Sequence, residues 1–424
     1  MSPALLLTAC LMAAPAVSEG DWPQWRGPNR DGKSAETGLL AKWPSGGPAV
    51  AWENLKIGNG YGQPSVVGDK VYILGGAGNQ PGDAEHCLCL NLKDGLEVWK
   101  SPLKTSPGRF AAAWGGGPRS TPTFADGRLY CLGATGDLIC LQASDGKEVW
   151  KKNLVNDFGG GVGGPNWGFS ESPLIDGENL ICTPGKGTGM IALNAKTGAT
   201  VWSCKEFKDG AGYSSIVPVD IGGVRIYVQQ TMESSLAVRA KDGKLMFRNA
   251  LLNRRTAVIP SPVVADNHVF ITAGYGAGSE SFKLTADGDQ VKAEAVYSKN
   301  ASLSNHHGGV IQIGDKVYGH SDRGGWTCLD FKKAPDGPTW AHTKFGKGSI
   351  TYVDGHFLCY AEGSGDLAVI KATDTAWEQV GSMKLPKRSK TPKGQGAIWA
   401  HPVVAHGKLF LRDFDYLFCF DLKK

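Results

Sequence analysis

Two adjacent histidines, His306 and His307, lie in the segment NASLSNHHGGV, and His401 follows in GQGAIWAHPVV. Imidazole can accept a proton or ligate a metal near neutral pH, so base catalysis and metal binding are the chemistries to test first. Adjacent side chains on a strand point to opposite faces, so the pair forms a joint site only if the segment is a loop. No carboxylate or thiol accompanies the pair at a fixed ligand spacing. The reading therefore assigns no catalytic residue and no metal ligand.

A second set of residues suits binding better. The segments RFAAAWGGGPRSTP, GGGVGGPNWGFSESP, KDGAGYSSIVP and LNRRTAVIPSP combine glycine-rich backbone with Arg109, Trp114, Arg119, Asn166, Trp167, Tyr213, Arg254 and Arg255. Asn305 and Trp399 belong to the histidine segments. Aromatic rings and guanidinium groups on one axis can stack a planar ligand or a sugar and pair with a carboxylate. The plainer alternative is structural: glycine lets a rim crowd, and the aromatics plug it. Both readings stand. The string AEGSGD at 361–366 lacks the GK[ST] ending of a phosphate loop and reads as a hairpin turn.

Something must carry these segments, and it repeats. Gly95, Gly146, Gly198, Gly243 and Gly288 mark turns 45–52 residues apart, and four residues after the first four come Trp99, Trp150, Trp202 and Phe247. Each unit holds a proline-containing strand start, a KVYI-like strand, an ICLQA-like strand, a DG turn and an aromatic strand. That is four short strands joined by hairpins. Eight units are legible, the seventh weakly, with Trp340 and Trp377 as later aromatics and Tyr297 in the fifth. The eighth, WAHPVVAHGKLFLRDFDYLFCFDLKK, supplies only three strands. Residues 48–57, PAVAWENLKI, offer the fourth, with Trp52 in the position of Trp99. The expected fold is all-β: an eight-bladed propeller of four-stranded antiparallel blades, closed by an N-terminal strand in the last blade. Trp52, Trp99, Trp150, Trp202, Phe247, Trp340 and Trp377 are expected to dock neighbouring blades.

The remaining features bound the function. Glycine at 59 of 424 residues suits a turn-rich β protein, and the formal charge of +5 is small. The basic stretch KLPKRSKTPKG reads as a solvated loop, so a nucleic-acid partner is not expected. Residues 1–18 read as an export signal around the apolar Leu5–Ala14, and Leu7–Cys10 (LTAC) has the form of a lipobox, which offers a lipid anchor at Cys10 as an alternative. Residues 19–47 are expected to form an arm packed on the propeller of residues 48–424. Trp22, Trp25, Arg26 and Arg30 in that arm either pin it down or form an exposed carbohydrate platform. Nine further cysteines are an odd number, and there is no CxxC motif. Buried thiols are the plain reading, with Cys131 and Cys140 able to pair across a tight turn.

The repeat DG.ll.cLda.dGkevW resembles the PQQ-like β-propeller repeat of quinoprotein dehydrogenases and of the BamB-type outer-membrane assembly lipoprotein. Residues 21–40, DWPQWRGPNRDGKSAETGLL, resemble the lead-in of secreted PQQ-like proteins from Planctomycetes and Verrucomicrobia. The resemblance implies that the repeat tryptophans dock blades. For the dehydrogenases it also implies an adjacent-cysteine disulfide and a calcium or lanthanide ion held by Glu, Asn and Asp. This chain has no adjacent cysteine pair, and none of its runs matches that ligand set. The expectation is an exported, non-catalytic scaffold in the periplasm or cell envelope that binds another envelope protein, with no cofactor. The alternatives are a propeller binding a small molecule or glycan, and a PQQ- and calcium-dependent oxidoreductase.

Overall fold

The DG turn explains why the repeat works. In the turn at 143–147 the Asp145 carboxylate accepts the Lys147 amide at 3.1 Å, and Gly146 takes φ +72°, a left-handed conformation in which a Cβ is strained. The next strand then slips register once, between the pairs Cys140–Trp150 and Leu141–Glu148. The same slip occurs after the DG turns at Gly95 and Gly243 and the TG turn at Gly198. Such a bulge re-aims the following side chain. Here it turns the tryptophan out of its own sheet toward the next blade.

The computed structural model describes residues 17–39, 43–44, 46–78, 80, 83–103, 110–250, 257–333 and 336–423. Their strands form eight four-stranded antiparallel sheets, each in sequence order from its inner to its outer strand except one. In that sheet Val50–Asn54 pairs with Tyr416–Asp421, with Trp52 opposite Cys419. The expected closure by residues 48–57 is therefore present, and Trp52 does occupy the place of Trp99. Eight apolar clusters fill the eight gaps between neighbouring blades. This is why second and third strands, such as Asp137–Gln142, are buried on both faces. Residues 1–16 of the expected export signal, including Cys10, lie outside the described residues. Among those residues no helix is long and apolar enough to cross a membrane.

Each repeat tryptophan seats on the next blade. The Nε1 donors of Trp52, Trp99, Trp150, Trp202 and Trp340 reach carbonyls of Leu92, Ala143, Ala195, Ala240 and Thr373, at 2.8–3.1 Å. Phe247 is half-buried between the fourth and fifth blades. Trp377 departs from the pattern. It sits in the turn that receives Trp340 and stacks on His342 at 4.4 Å. The position of its blade that matches Trp150 is Gly381, opposite Val369. Trp43 of the arm packs above that glycine instead.

Two local expectations change. Cys131 pairs with Ile139 and Cys140 with Tyr130, so the two thiols point to opposite faces and belong to different clusters. All nine described cysteines are free and buried. The basic stretch is tethered rather than solvated throughout: Arg388 (2.7 Å) and Lys393 pair with the buried Asp413 carboxylate.

Candidate functional site

Antiparallel blades divide the propeller into two ends. Turns between first and second strands lie at one end. Connectors entering the first strands, and turns between second and third strands, lie at the other.

The arm occupies the first end and touches all eight blades. Trp22 exchanges backbone hydrogen bonds with Val66, and Pro23 O accepts the Phe124 amide. Arg30 donates to the carbonyls of Ser172, Pro173 and Ile216 at 2.8–3.2 Å. Trp25 Nε1 donates to Ser261 Oγ, and Arg26 to Val310 O. Ser34 bonds Tyr352 O, and Asp21 and Glu36 hold His406 and Gly407. Trp22 is 1 % exposed and Arg26 and Arg30 are 3 % exposed, so they form no exposed carbohydrate platform.

The opposite end opens into an axial cavity with an empty volume of about 820 Å³, part of it continuous with solvent. Its lining brings together Trp114, Arg119, Trp167, Tyr213, His306, His307 and Trp399 from connectors far apart in sequence. Tyr61, Ser170, Ser215, Ile259 and Tyr275 join them, and the arm contributes Trp25. Asn166 and His401 are not in the lining. Asn166 O accepts the Ala111 amide, and His401 is buried edge-on to Trp25 at 4.8 Å. Asn305 is buried and donates to His320 O. Arg109, Arg254 and Arg255 lie outside the described residues.

The rings form a belt. Tyr213 stacks on Trp167 at 5.5 Å, and Trp114 meets Trp167 at 6.1 Å and Trp399 at 6.5 Å. Trp399 then contacts Tyr61 and His307, and His306 contacts Tyr275. Hydrogen bonds fix the belt: Tyr61 OH donates to Trp114 O at 2.8 Å, and the Trp167 amide to Tyr213 OH at 3.1 Å. The glycine-rich connector is required for this contact, because a Cβ at Gly115 would fall 1.9 Å from Tyr61 OH. Burial pushes the Tyr61 phenol up to about 12, so it stays a neutral donor.

Charge is distributed unevenly around the belt. Arg119 donates to Gly115 O and Gly117 O and lies over the Tyr61 ring at 5.0 Å. It forms no salt bridge among the described residues, and Glu85, the carboxylate whose charge it feels, is buried and pushed up to about 7. The two histidines share the cavity because their segment is a loop, as the adjacency argument requires. His307 Nε2 bonds Glu362 Oε2 at 2.5 Å, and the same oxygen accepts Trp399 Nε1 at 3.1 Å. Burial disfavours that carboxylate, but the His307 bond and nearby cations hold it down at about 2. Lys347, bonded to Asp322 at 3.0 Å, approaches His306 Nδ1 at 2.6 Å. An ammonium can only donate, so His306 is neutral with its proton on Nε2. Burial, His307 and Lys347 lower its pKa to about 3. Glu362 and Lys347 reach the histidines from the seventh blade and Asp322 holds Lys347 from a turn of the sixth, and no spacing in the sequence marks any of the three.

The chain is an eight-bladed β-propeller whose axis holds a ring-lined cavity, with the arm across its other end. The profile of the family described as outer membrane protein assembly factor BamB matches residues 83–334, and this chain belongs to that family of PQQ-like repeat propellers. The BamB of Shewanella oneidensis is 23 % identical over 229 residues, 53 % of this chain and 52 % of that protein. The chain thus matches about half the length of this curated relative. The crystal structure of BamB from Moraxella catarrhalis superposes with a TM-score of 0.56 at 13 % identity, covering 85 % of this chain and 94 % of that one. A quinohemoprotein alcohol dehydrogenase from Comamonas testosteroni gives 0.63 at 12 %, covering 95 % and 80 %. These likenesses show the fold.

The residues do not fit a quinone with its metal. Among the described residues no three His, Cys, Asp or Glu side chains gather to hold an ion. Glu362 and Asp322 are already engaged by His307, Trp399 and Lys347. The cavity rings touch one another, Trp167 and Tyr213 nearly parallel and the others tilted, so the contacting pairs leave no slot between them for a flat cofactor.

Proposed function

We propose that this protein is an exported, non-catalytic scaffold of the cell envelope that binds a partner protein across the open end of its propeller. The observation that carries the reading is the asymmetry of the axis. One end is stitched shut by an arm bonded to every blade, and the other presents long connectors, a ring-lined mouth and the 54 % exposed Tyr275. Loops on a rigid scaffold are where recognition residues concentrate. Relatives named for outer membrane protein assembly support a protein of that envelope as the partner. The apolar Leu5–Ala14, and the likeness of residues 21–40 to secreted propellers of Planctomycetes and Verrucomicrobia, support export.

The test is photocrosslinking in the intact envelope from two positions. A photoreactive residue at Tyr275, at the open end, is expected to yield a discrete protein adduct. The same residue at the exposed Asn29, at the arm end, is expected to yield none. Adducts from position 29 alone, or none from either in a folded, exported protein, overturn the reading.

A further inference from the structure

We propose that the axial cavity is a binding site for one acidic sugar ring, with its carboxylate on Arg119 and its C–H faces on the tryptophan belt. This goes beyond the scaffold reading, because it assigns a small ligand to the interior of the axis. Trp114, Trp167 and Trp399 line the cavity; the near-parallel Trp167 and Tyr213 are in direct contact, and Trp114 meets Trp167 at 63° and Trp399 at 37° between planes. Rings tilted this way do not sandwich a flat polycycle, which needs two parallel faces. They suit a puckered ring, whose C–H edges meet aromatic faces in several directions.

Charge supplies the second half. Arg119 is the cavity's permanent cation; no carboxylate of the described residues forms a salt bridge with it, and Glu85, whose charge it feels, is buried and pushed up to about 7. A guanidinium so placed favours a carboxylate on the ligand, and its planar fork matches that group. A cationic ligand is disfavoured for the same reason. Hydroxyl recognition is available in the same lining: Ser215 Oγ accepts the Ser172 amide at 3.0 Å and retains its own proton for a ligand oxygen. The arm is part of this site through Trp25.

A free sugar acid and the terminal residue of an acidic polysaccharide present the same chemistry. Titrations of the purified mature protein, followed by tryptophan fluorescence, separate them. The probes are glucuronate, glucose, benzoate and a short oligogalacturonate. Glucuronate is expected to give a saturable change at concentrations at least about tenfold below glucose, the discrimination of one charge-assisted pair. Tighter binding of the oligomer assigns the polymer end, and equal or weaker binding assigns the free acid. Arg119→Gln is expected to weaken glucuronate by about tenfold or more and leave glucose unchanged, while Arg119→Lys retains part of the preference for the acid. Melting curves identify any variant that fails to fold. Benzoate binding as tightly as glucuronate overturns the proposal, as does the absence of a saturable response to either acid in the folded wild-type protein. Partner crosslinking without sugar binding overturns this inference alone.

Discussion

Gly95 lies directly beneath the indole of Trp52. A Cβ on Gly95 would fall 2.4 Å from that ring, whose Nε1 donates to Leu92 O at 2.8 Å in the same turn. The contact joins the last blade to the first, so a repeat turn doubles as the seam of the ring.

Replacing Gly95 with alanine therefore has two costs. Its φ of +69° is strained for a Cβ, at about 1–2 kcal/mol, and the collision with Trp52 adds about 1–3 kcal/mol. Gly288 has φ +60° but nothing within 4 Å of a Cβ. Thermal unfolding of Gly95→Ala is expected to occur well below that of Gly288→Ala. Equal losses would mean that the turn conformation alone, and not the seat for Trp52, is what the glycine provides.

Arg30 tests the arm. Its guanidinium satisfies three buried carbonyls in two blades, and Arg30→Met leaves them without that donor, at about 3–5 kcal/mol. Limited proteolysis is expected to release the arm from the variant under conditions that leave the wild type intact. Arg30→Lys should fail to rescue, since a single ammonium cannot span the three acceptors. Wild-type resistance in Arg30→Met would assign the anchorage to the other arm contacts.

Buried ionisable groups give stability a maximum near pH 6.5. Burial lowers His86 and His320 to about 4 and His306 to about 3, whereas the unfolded chain takes up these protons near 6.5. Stability is therefore lost as pH falls below 6.5, and Glu362 adds to the loss below about 4.5. Burial raises Glu85 to about 7 and Glu171 to about 8, so both stay protonated in the fold while the unfolded chain ionises them near 4.5. Their contribution is complete below 4.5 and is lost as pH rises through 7 and 8. Melting temperatures from pH 4 to 9 should trace this dome, and Glu171→Gln should flatten its alkaline side. A profile still rising at pH 8.5 would contradict it.

The blades were legible because their determinants are local. The DG turn, the bulge and the aromatic recur at a fixed offset, and Trp52 before the first full unit identifies the closing strand. The cavity was legible only in part. Trp114, Trp167 and Trp399 stand out beside glycine runs, but Tyr61, Tyr275 and Glu362 lie in ordinary strand starts and hairpin turns. Only ring closure brings them to one axis. Cys131 and Cys140 show how fine the limit is: a one-residue offset in the hairpin register places Tyr130, not Cys131, opposite Cys140.

The seam has a kinetic meaning as well. Asn54 pairs with Leu417, so the strand made early waits for partners made hundreds of residues later. Until Tyr416–Asp421 has been delivered, Val50–Asn54 has no sheet to join. The arm likewise has no complete ring to settle on, because its contacts run from Val66 to Gly407. A chain growing from its N-terminus must therefore keep an unpaired strand and a tryptophan-rich arm from sticking elsewhere until the whole ring is made.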